Sequence, residues 1–222
     1  ADGLKKLSDS LDETLSKALN TLQSINGRII VTGMGKSGHI AKKIAATLAS
    51  TGKPAFFIHP SEASHGDIGM INEDDAVLAL SNSGDTHELN DIISYTRRFK
   101  IPLISITSRK GSILESESDI TLMLPETEEA CSIGLAPTTS TTMMLAYGDV
   151  IAVVLMERKG FSIEDFKLRH PGGRLGQRLL KVSDIMHIGT ELPIAKKTDL
   201  MTQVLPEMTA KSLGCIGIVD EN

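Results

Sequence analysis

The sequence predicts an α/β fold: a parallel five-stranded sheet flanked by helices, followed by an incomplete second domain. Three observations carry this. Short aliphatic runs alternate with amphipathic segments from residue 28 to residue 159, the pattern of right-handed βαβ crossovers. Aromatic residues are only 3% of the chain and Trp is absent, so the core is aliphatic and Met-rich, as in helix-covered parallel sheets. After His170 the texture changes to a glycine-rich connector and a short tail.

The elements follow in order. Leu4, Leu7, Leu11, Leu15, Leu22 and Ile25 recur at steps of three, four or seven, which predicts one amphipathic cover helix ended by Asn26-Gly27. Strands are expected at 28–32, 55–58, 76–80, 102–106 and 119–124, and helices near 38–50, 87–99, 110–117 and 138–159. The last of these opens at Pro137, suited to an early helical position. It is apolar over much of its surface (Met143, Met144, Leu145, Val150, Ile151, Val153, Val154), which predicts burial in the core or at a subunit interface. Pro171-Gly172-Gly173-Arg174-Leu175-Gly176 reads as a stiff connector. Beyond it come Val182–Met186, a polar stretch with Pro193, a short helix near 199–211 and a strand at 215–219. That tail is too short to bury a full core alone. The predicted domains are 1–180 and 181–222.

Composition excludes several classes. A net charge of −5 argues against a nucleic-acid footprint. No apolar stretch approaches the roughly 20 residues needed to span a bilayer, and the N-terminus carries no signal-peptide pattern. The first residue is not Met and the chain stops at Asp220-Glu221-Asn222, so both ends read as trimmed. Cys131 and Cys215 fall in different regions without a pairing motif, which predicts a reducing cytoplasm.

The most informative segment is Ser81-Asn82-Ser83-Gly84-Asp85-Thr86, directly after the apolar run 76–80. In a parallel sheet, ligands bind at the carboxyl ends of strands. A helix N-terminus there offers free N–H groups and partial positive charge. Ser81, Ser83 and Thr86 place three hydroxyls in that field, and Gly84 permits close backbone approach, so a phosphate monoester is the natural ligand. The same residues also read as an ordinary turn with Thr86 as helix cap.

Gly33-Met34-Gly35-Lys36-Ser37-Gly38 shifts the balance. Its glycines fit the dinucleotide spacing, but the second strand ends in His59-Pro60 where that motif needs an acid. A nucleoside-triphosphate loop needs a Gly at position 30, which is Ile. A glycine loop fitting neither nucleotide motif, beside a Ser/Thr loop, points to a small phosphorylated ligand.

Candidate chemical residues each have a plain alternative. Lys36, at a helix opening, either faces an anion or is solvated surface. His65, in a polar loop with Asp67, is a proton donor, a metal ligand or neither. Glu88 either orients substrate or complements the helix dipole. Glu129 is one of an acid pair, Glu128-Glu129, and such pairs are commonly solvated. His170 precedes Pro171, which biases it to extended backbone.

Together these residues resemble the sugar isomerase (SIS) family, and within it the arabinose 5-phosphate isomerases, over nearly the whole chain. The marks are the 33–38 loop, Glu62-Ala63-Ser64-His65-Gly66-Asp67, the 81–88 loop, Glu129-Ala130-Cys131 with Leu135–Thr142, and His170-Pro171-Gly172-Gly173-Arg174-Leu175-Gly176. The Ser-x-Ser-Gly-x-Thr loop is shared by most SIS domains. The His-Pro-Gly-Gly-x-Leu-Gly run and the Gly-x-Gly-Lys-Ser-Gly loop are narrower. The segment from Val182 resembles the start of a CBS domain, which in this family is normally a tandem pair.

The resemblance implies interconversion of D-arabinose 5-phosphate and D-ribulose 5-phosphate through an enediol, at the head of the route to Kdo in lipopolysaccharide or capsule. By motif position, it implies that Glu129 shuttles the proton and that His170 opens the ring or relays a proton. Lys36 would stabilise charge, and Glu88 would orient hydroxyls or share the base role. Ser81, Asn82, Ser83, Gly84 and Thr86 would hold the phosphate, and His65 would contact substrate. No cofactor is required. A divalent metal such as zinc at His65 would be inhibitory if it binds. The resemblance further implies a dimer or tetramer and a nucleotide-type ligand at the CBS region; the place of His170 past the last core helix, on a glycine-rich segment, and the apolar helix 138–159 predict a site built from more than one chain. Neither nucleic acid nor membrane is an expected partner. Two other readings stay open: a non-catalytic phosphosugar sensor, and an SIS isomerase for another sugar phosphate.

Overall fold

The computed structural model describes residues 1–170 and 181–220. It divides into two compact units, Ala1–His170 and Pro171–Asn222. In the first, α1 (Asp2–Ser10) and α2 (Glu13–Ser24) precede β1 (Ile29–Gly33), α3 (Gly35–Ser50), β2 (Ala55–Ile58) and the short α4 (Pro60–Ala63). Then follow β3 (Ala76–Leu80), α5 (Asn90–Phe99), β4 (Leu103–Thr107), α6 (Ile113–Glu117), β5 (Ile120–Met123), α7 (Thr139–Arg158) and α8 (Ile163–Arg169).

The five strands form an all-parallel sheet in the order β2-β1-β3-β4-β5. Successive residues of a strand point to opposite faces, and both faces are buried, as parallel sheets require. Ile29, Val31, Leu78, Leu80, Ile104 and Ile106 pack under α1, α2, α3 and α7. Ile30, Val77, Ala79 and Leu103 pack on the opposite face with Ala63 of α4, Ile92 and Ile93 of α5 and Leu114 of α6. The chain moves outward from β1 to β2, then returns to start β3 on the other side of β1. The resulting switch point lies between β1 and β3, where open α/β sheets bind ligands.

Several expectations are corrected. The single N-terminal helix is two, because Leu11 and Asp12 are extended and the Asp12 carboxylate accepts from Thr14 N at 2.8 Å, restarting the helix. α3 begins at Gly35 rather than 38, and α5 begins at Asn90 after a 3₁₀ turn at His87–Leu89. Pro137 does not open α7; the helix starts two residues later with Thr138 as N-cap. α8 is an element the sequence pattern does not mark, although Ser162 and Asp165 form a reciprocal capping box. Among the described residues α7 is the one helix long and apolar enough to cross a membrane, which corrects the reading that no segment reaches that length. Met143, Met144, Tyr147, Ile151 and Leu155 on it are buried in the core.

The second unit contains α9 (Val182–Ile185), β6 (Ile194–Lys196), α10 (Met201–Lys211) and β7 (Gly217–Val219). β6 and β7 pair in parallel, with α10 between them in sequence. β6 lies in the stretch around Pro193, which the sequence marks as merely polar. The connector 171–176 lies outside the described residues.

Candidate active site

The register sets the site. Gly33 pairs with Leu80 across β1 and β3, so the glycine loop and the Ser/Thr loop leave adjacent strands at the same level. Gly33 and Gly38 are packing glycines. A Cβ on Gly33 would come within 2.9 Å of Leu80 O, and one on Gly38 within 2.5 Å of Gly33 O. α3 opens with no side-chain cap, and its first intrahelical bond is Gly38 N to Met34 O. The N–H groups ahead of that bond point at the loop junction with the positive end of a 16-residue helix. Lys36 is exposed there and makes no hydrogen bond or ion pair among the described residues.

The Ser/Thr loop is pre-formed. Ser81 is buried; its Oγ accepts from Gly84 N at 3.0 Å and pairs with Thr86 Oγ1 at 2.7 Å. Thr86 therefore spends its hydroxyl on Ser81 and is not the side-chain cap of the following helix. Gly84 sits at φ +69, and a Cβ there would overlap the Ser112 side chain. Neighbouring segments clamp the loop from below. Asn82 O accepts from Ser108 N at 3.2 Å and Ser108 Oγ at 2.9 Å; Gly84 O accepts from Leu114 N at 2.9 Å. Asp85 accepts from Ile113 N at 3.0 Å and pairs with Arg109 at 3.3 Å. Ser83 and Asn82 stay exposed, and no described residue takes the N–H groups of Ser83 or Thr86. Those donors are available to an anion. Glu88 stands exposed just beyond them without a partner among the described residues.

Glu129 is six residues past the end of β5 rather than at it. Its carboxylate caps the N-terminus of α7: Oε2 accepts from Thr138 N at 2.7 Å, Thr138 Oγ1 at 3.0 Å and Ser140 N at 3.3 Å, and Oε1 accepts from Ser140 Oγ. Partial burial pushes its pKa up, but the hydrogen bonds from Ser140 and Thr138 outweigh that and hold it below the usual carboxylate value. A cleft of about 840 Å³ brings Glu129 and Ser140 together with Asn82 and Ser108. Asp2, Gly3 and Lys6 of α1 line the same cleft. Sequence reading missed that wall, because helical periodicity marks the buried face of α1 and not what its edge faces.

Two predicted residues stand apart. His65 is exposed in the turn after α4, and no group of three or more His, Cys, Asp or Glu side chains gathers there among the described residues. This chain's described donors alone therefore do not make a zinc site. His170 ends α8, stacked on Phe166 at 3.8 Å with Nδ1 2.9 Å from Phe166 O. α7 carries the chain away from the cleft to the amino ends of the strands, where Lys159 meets Gly52 O and Arg169 lies 5.0 Å over the Phe161 ring. The 20 residues of α7 span about 30 Å, so His170 lies at the opposite end of the sheet from its own Ser/Thr loop.

Residues 21–154 match the SIS domain family. An arabinose 5-phosphate isomerase KdsD from Yersinia pestis is 50% identical over 222 residues, which covers 100% of this chain and 68% of the relative. The protein of the same name from Pseudomonas aeruginosa PAO1 is 49% identical over 222 residues, with 100% and 68% coverage. Among solved structures, E. coli CFT073 c3406 in complex with arabinose 5-phosphate superposes with a TM-score of 0.74 at 41% identity, covering 77% of this chain and 90% of that one. The uncapped α3, the pre-formed Ser/Thr loop and the carboxylate on the shared cleft are thus read on a parallel sheet common to these proteins, and the chain belongs to the arabinose 5-phosphate isomerases of the SIS domain family.

Proposed function

We propose that the chain interconverts D-arabinose 5-phosphate and D-ribulose 5-phosphate through an enediol. The observation that carries this is the meeting, on one cleft, of Asn82 from the Ser/Thr loop with the hydrogen-bonded carboxylate of Glu129. The relatives named arabinose 5-phosphate isomerase and the neighbour bound to arabinose 5-phosphate support the choice of sugar.

In this reading the phosphate sits on Ser83 Oγ and the open N–H groups of the Ser/Thr loop. The Glu129 carboxylate takes the C2 proton of the open-chain aldose, which leaves an enediolate. The O2 proton passes to O1 and Glu129 returns its proton to C1, which gives the ketose. Such base catalysis is worth about 10²–10⁴-fold. Lys36, beside the positive end of α3, stabilises charge on the enediolate oxygens. Glu88 orients hydroxyls. His170 opens the furanose ring from a second copy of the chain, since it stands at the far end of its own sheet. A metal at His65 would likewise need ligands beyond those described, and no step above uses one.

We place the reaction in the cytoplasm, a reading supported by the two free cysteines, with the arabinose 5-phosphate feeding Kdo formation. We read the 181–222 segment as the start of a CBS domain with a nucleotide-type ligand; the β6-α10-β7 order supports that reading. The test is a coupled assay with arabinose 5-phosphate, ribose 5-phosphate and glucosamine 6-phosphate. Turnover of the first alone is expected. Turnover of another substrate in its place, or binding without turnover, overturns the assignment.

A further inference from the structure

We propose that Ser140 and Thr138 are positioning residues for the Glu129 carboxylate, leaving one lone pair of Oε1 to take the substrate proton. The proposal rests on the reading of Glu129 as the base. Three donors converge on Oε2: Thr138 N, Thr138 Oγ1 and Ser140 N. An sp² oxygen has two lone pairs, so Oε2 is saturated. Oε1 receives only the Ser140 hydroxyl. A proton can therefore reach the carboxylate without breaking this frame only through the second lone pair of Oε1.

The frame is rigid for reasons visible in the fold. Ser140 is buried and lies in the first turn of α7, a 20-residue helix whose N-cap side chain makes no cap bond of its own. The Thr138 hydroxyl is held instead between Glu129 and the loop, accepting from Ala130 N at 2.9 Å while donating to Oε2. Glu129 and Ala130 on one side and Thr138 and Ser140 on the other thus close the neck of the 130–137 loop. Residue types alone hid this. Thr138 and Ser140 sit in a Thr/Ser run, Thr138-Thr139-Ser140-Thr141-Thr142, in which only two side chains reach the carboxylate.

The frame has two effects that an experiment separates. It lowers the basicity of Glu129, and it fixes the direction of Oε1. Charged side chains also line the cleft around Glu129: Asp2 and Lys6 from the α1 side, and Glu126 and Glu128 from its own segment. Asn82, Ser108 and Met143 supply the remaining walls without a titrating group. Comparing variants in one chain holds these charges constant.

The test compares wild type, Ser140→Ala, Ser140→Thr, Thr138→Val and Glu129→Gln in the full chain. Carboxyl-carbon NMR titration reads the Glu129 pKa, with the resonance identified by its loss in Glu129→Gln. Exchange of the substrate C2 hydrogen with deuterated solvent at neutral pH reads the geometry, because the carboxylate is ionised there in every variant that keeps it. In Ser140→Ala the pKa is expected to rise by about one unit, and exchange to fall about tenfold with KM little changed. A raised basicity alone would speed exchange, so the fall reports lost direction. Ser140→Thr restores both, and Thr138→Val repeats the shift if Ser140→Ala folds poorly. An unmoved pKa and unchanged exchange in Ser140→Ala and Thr138→Val overturn the proposal. Full exchange in Glu129→Gln overturns the underlying base assignment instead, whatever the titration of Ser140→Ala shows.

Discussion

At the residue scale, the three hydroxyls of the phosphate loop divide their work. Ser81 and Thr86 bond each other and hold the loop, while Ser83 is exposed beside free N–H groups. Ser83→Ala is therefore expected to raise KM for the phosphosugar about tenfold, the loss of one hydrogen bond to a charged group, with no change in Tm. Ser81→Ala should lower Tm as well, because Gly84 N and Thr86 Oγ1 lose their partner. Enzyme kinetics beside thermal melts check the pair; equal effects on Tm would remove the division. Glu129→Gln keeps shape and removes basicity, so kcat should fall by about 10²–10⁴-fold while phosphosugar binding persists. Glu88→Gln should change KM more than kcat. A second carboxylate acts on stability alone. Asp75 is buried and accepts from Arg28 N at 2.7 Å, Asn72 N at 2.9 Å and the Arg28 guanidinium. Burial raises its pKa, but those hydrogen bonds and the Arg28 charge bring it below the ordinary carboxylate value. A lowered folded-state pKa gives stability that is complete above the unfolded value, about 4, and is lost as pH falls through the folded value. Wild-type Tm should therefore drop in acid below about pH 4, and Asp75→Asn should start lower at neutral pH and show a smaller further drop.

At the element scale, loops and helix ends make the site and the packed faces hold it in place. Gly84 needs both its positive φ and its missing side chain, since a Cβ would overlap Ser112 at the start of α6. Gly84→Ala is expected to push the loop off α6, raising KM more than Ser83→Ala does and destabilising the fold by about 1–3 kcal/mol. Calorimetry and KM measured together decide this; a neutral Gly84→Ala would mean that the loop is not clamped. A different glycine tests the scaffold. Gly148 of α7 lies on α3, where a Cβ would overlap Ile44. Gly148→Val should lower Tm through overpacking by about 1–3 kcal/mol and leave KM nearly unchanged in the folded fraction.

At the scale of the whole molecule, the strand order decides what meets what. The switch between β1 and β3 sets the uncapped α3 beside the Ser/Thr loop, and α7 returns its N-terminus to that same end of the sheet. α7 also carries His170 to the other end, so we expect the working site to be completed by a second copy. Mixing inactive Glu129→Gln with inactive His170→Ala subunits should then restore part of the activity, because some mixed sites combine an intact Glu129 with an intact His170. No recovery in demonstrated hetero-oligomers would place both groups in one chain.

The order of strands and helices was legible because buried parallel strands are continuous aliphatic runs, and β2 and β3 fall at the residues the sequence marked, 55–58 and 76–80. The phosphate loop was legible because Ser, Gly and Thr at fixed spacing after a strand have a local physical meaning. Helix starts were less so. Asp12 restarts a helix through a side-chain bond, and Thr86 abandons its cap for Ser81, choices that depend on which acceptor lies nearer. Glu129 was visible as a residue but not as a helix cap nine residues upstream of its partner. The wall that α1 gives the cleft was not legible at all. Sequence by itself determined the elements and the residue types at their ends, since propensity and periodicity act over a few residues. Only the tertiary structure decided which ends share a cleft, because that depends on strand order and on packing between segments more than a hundred residues apart.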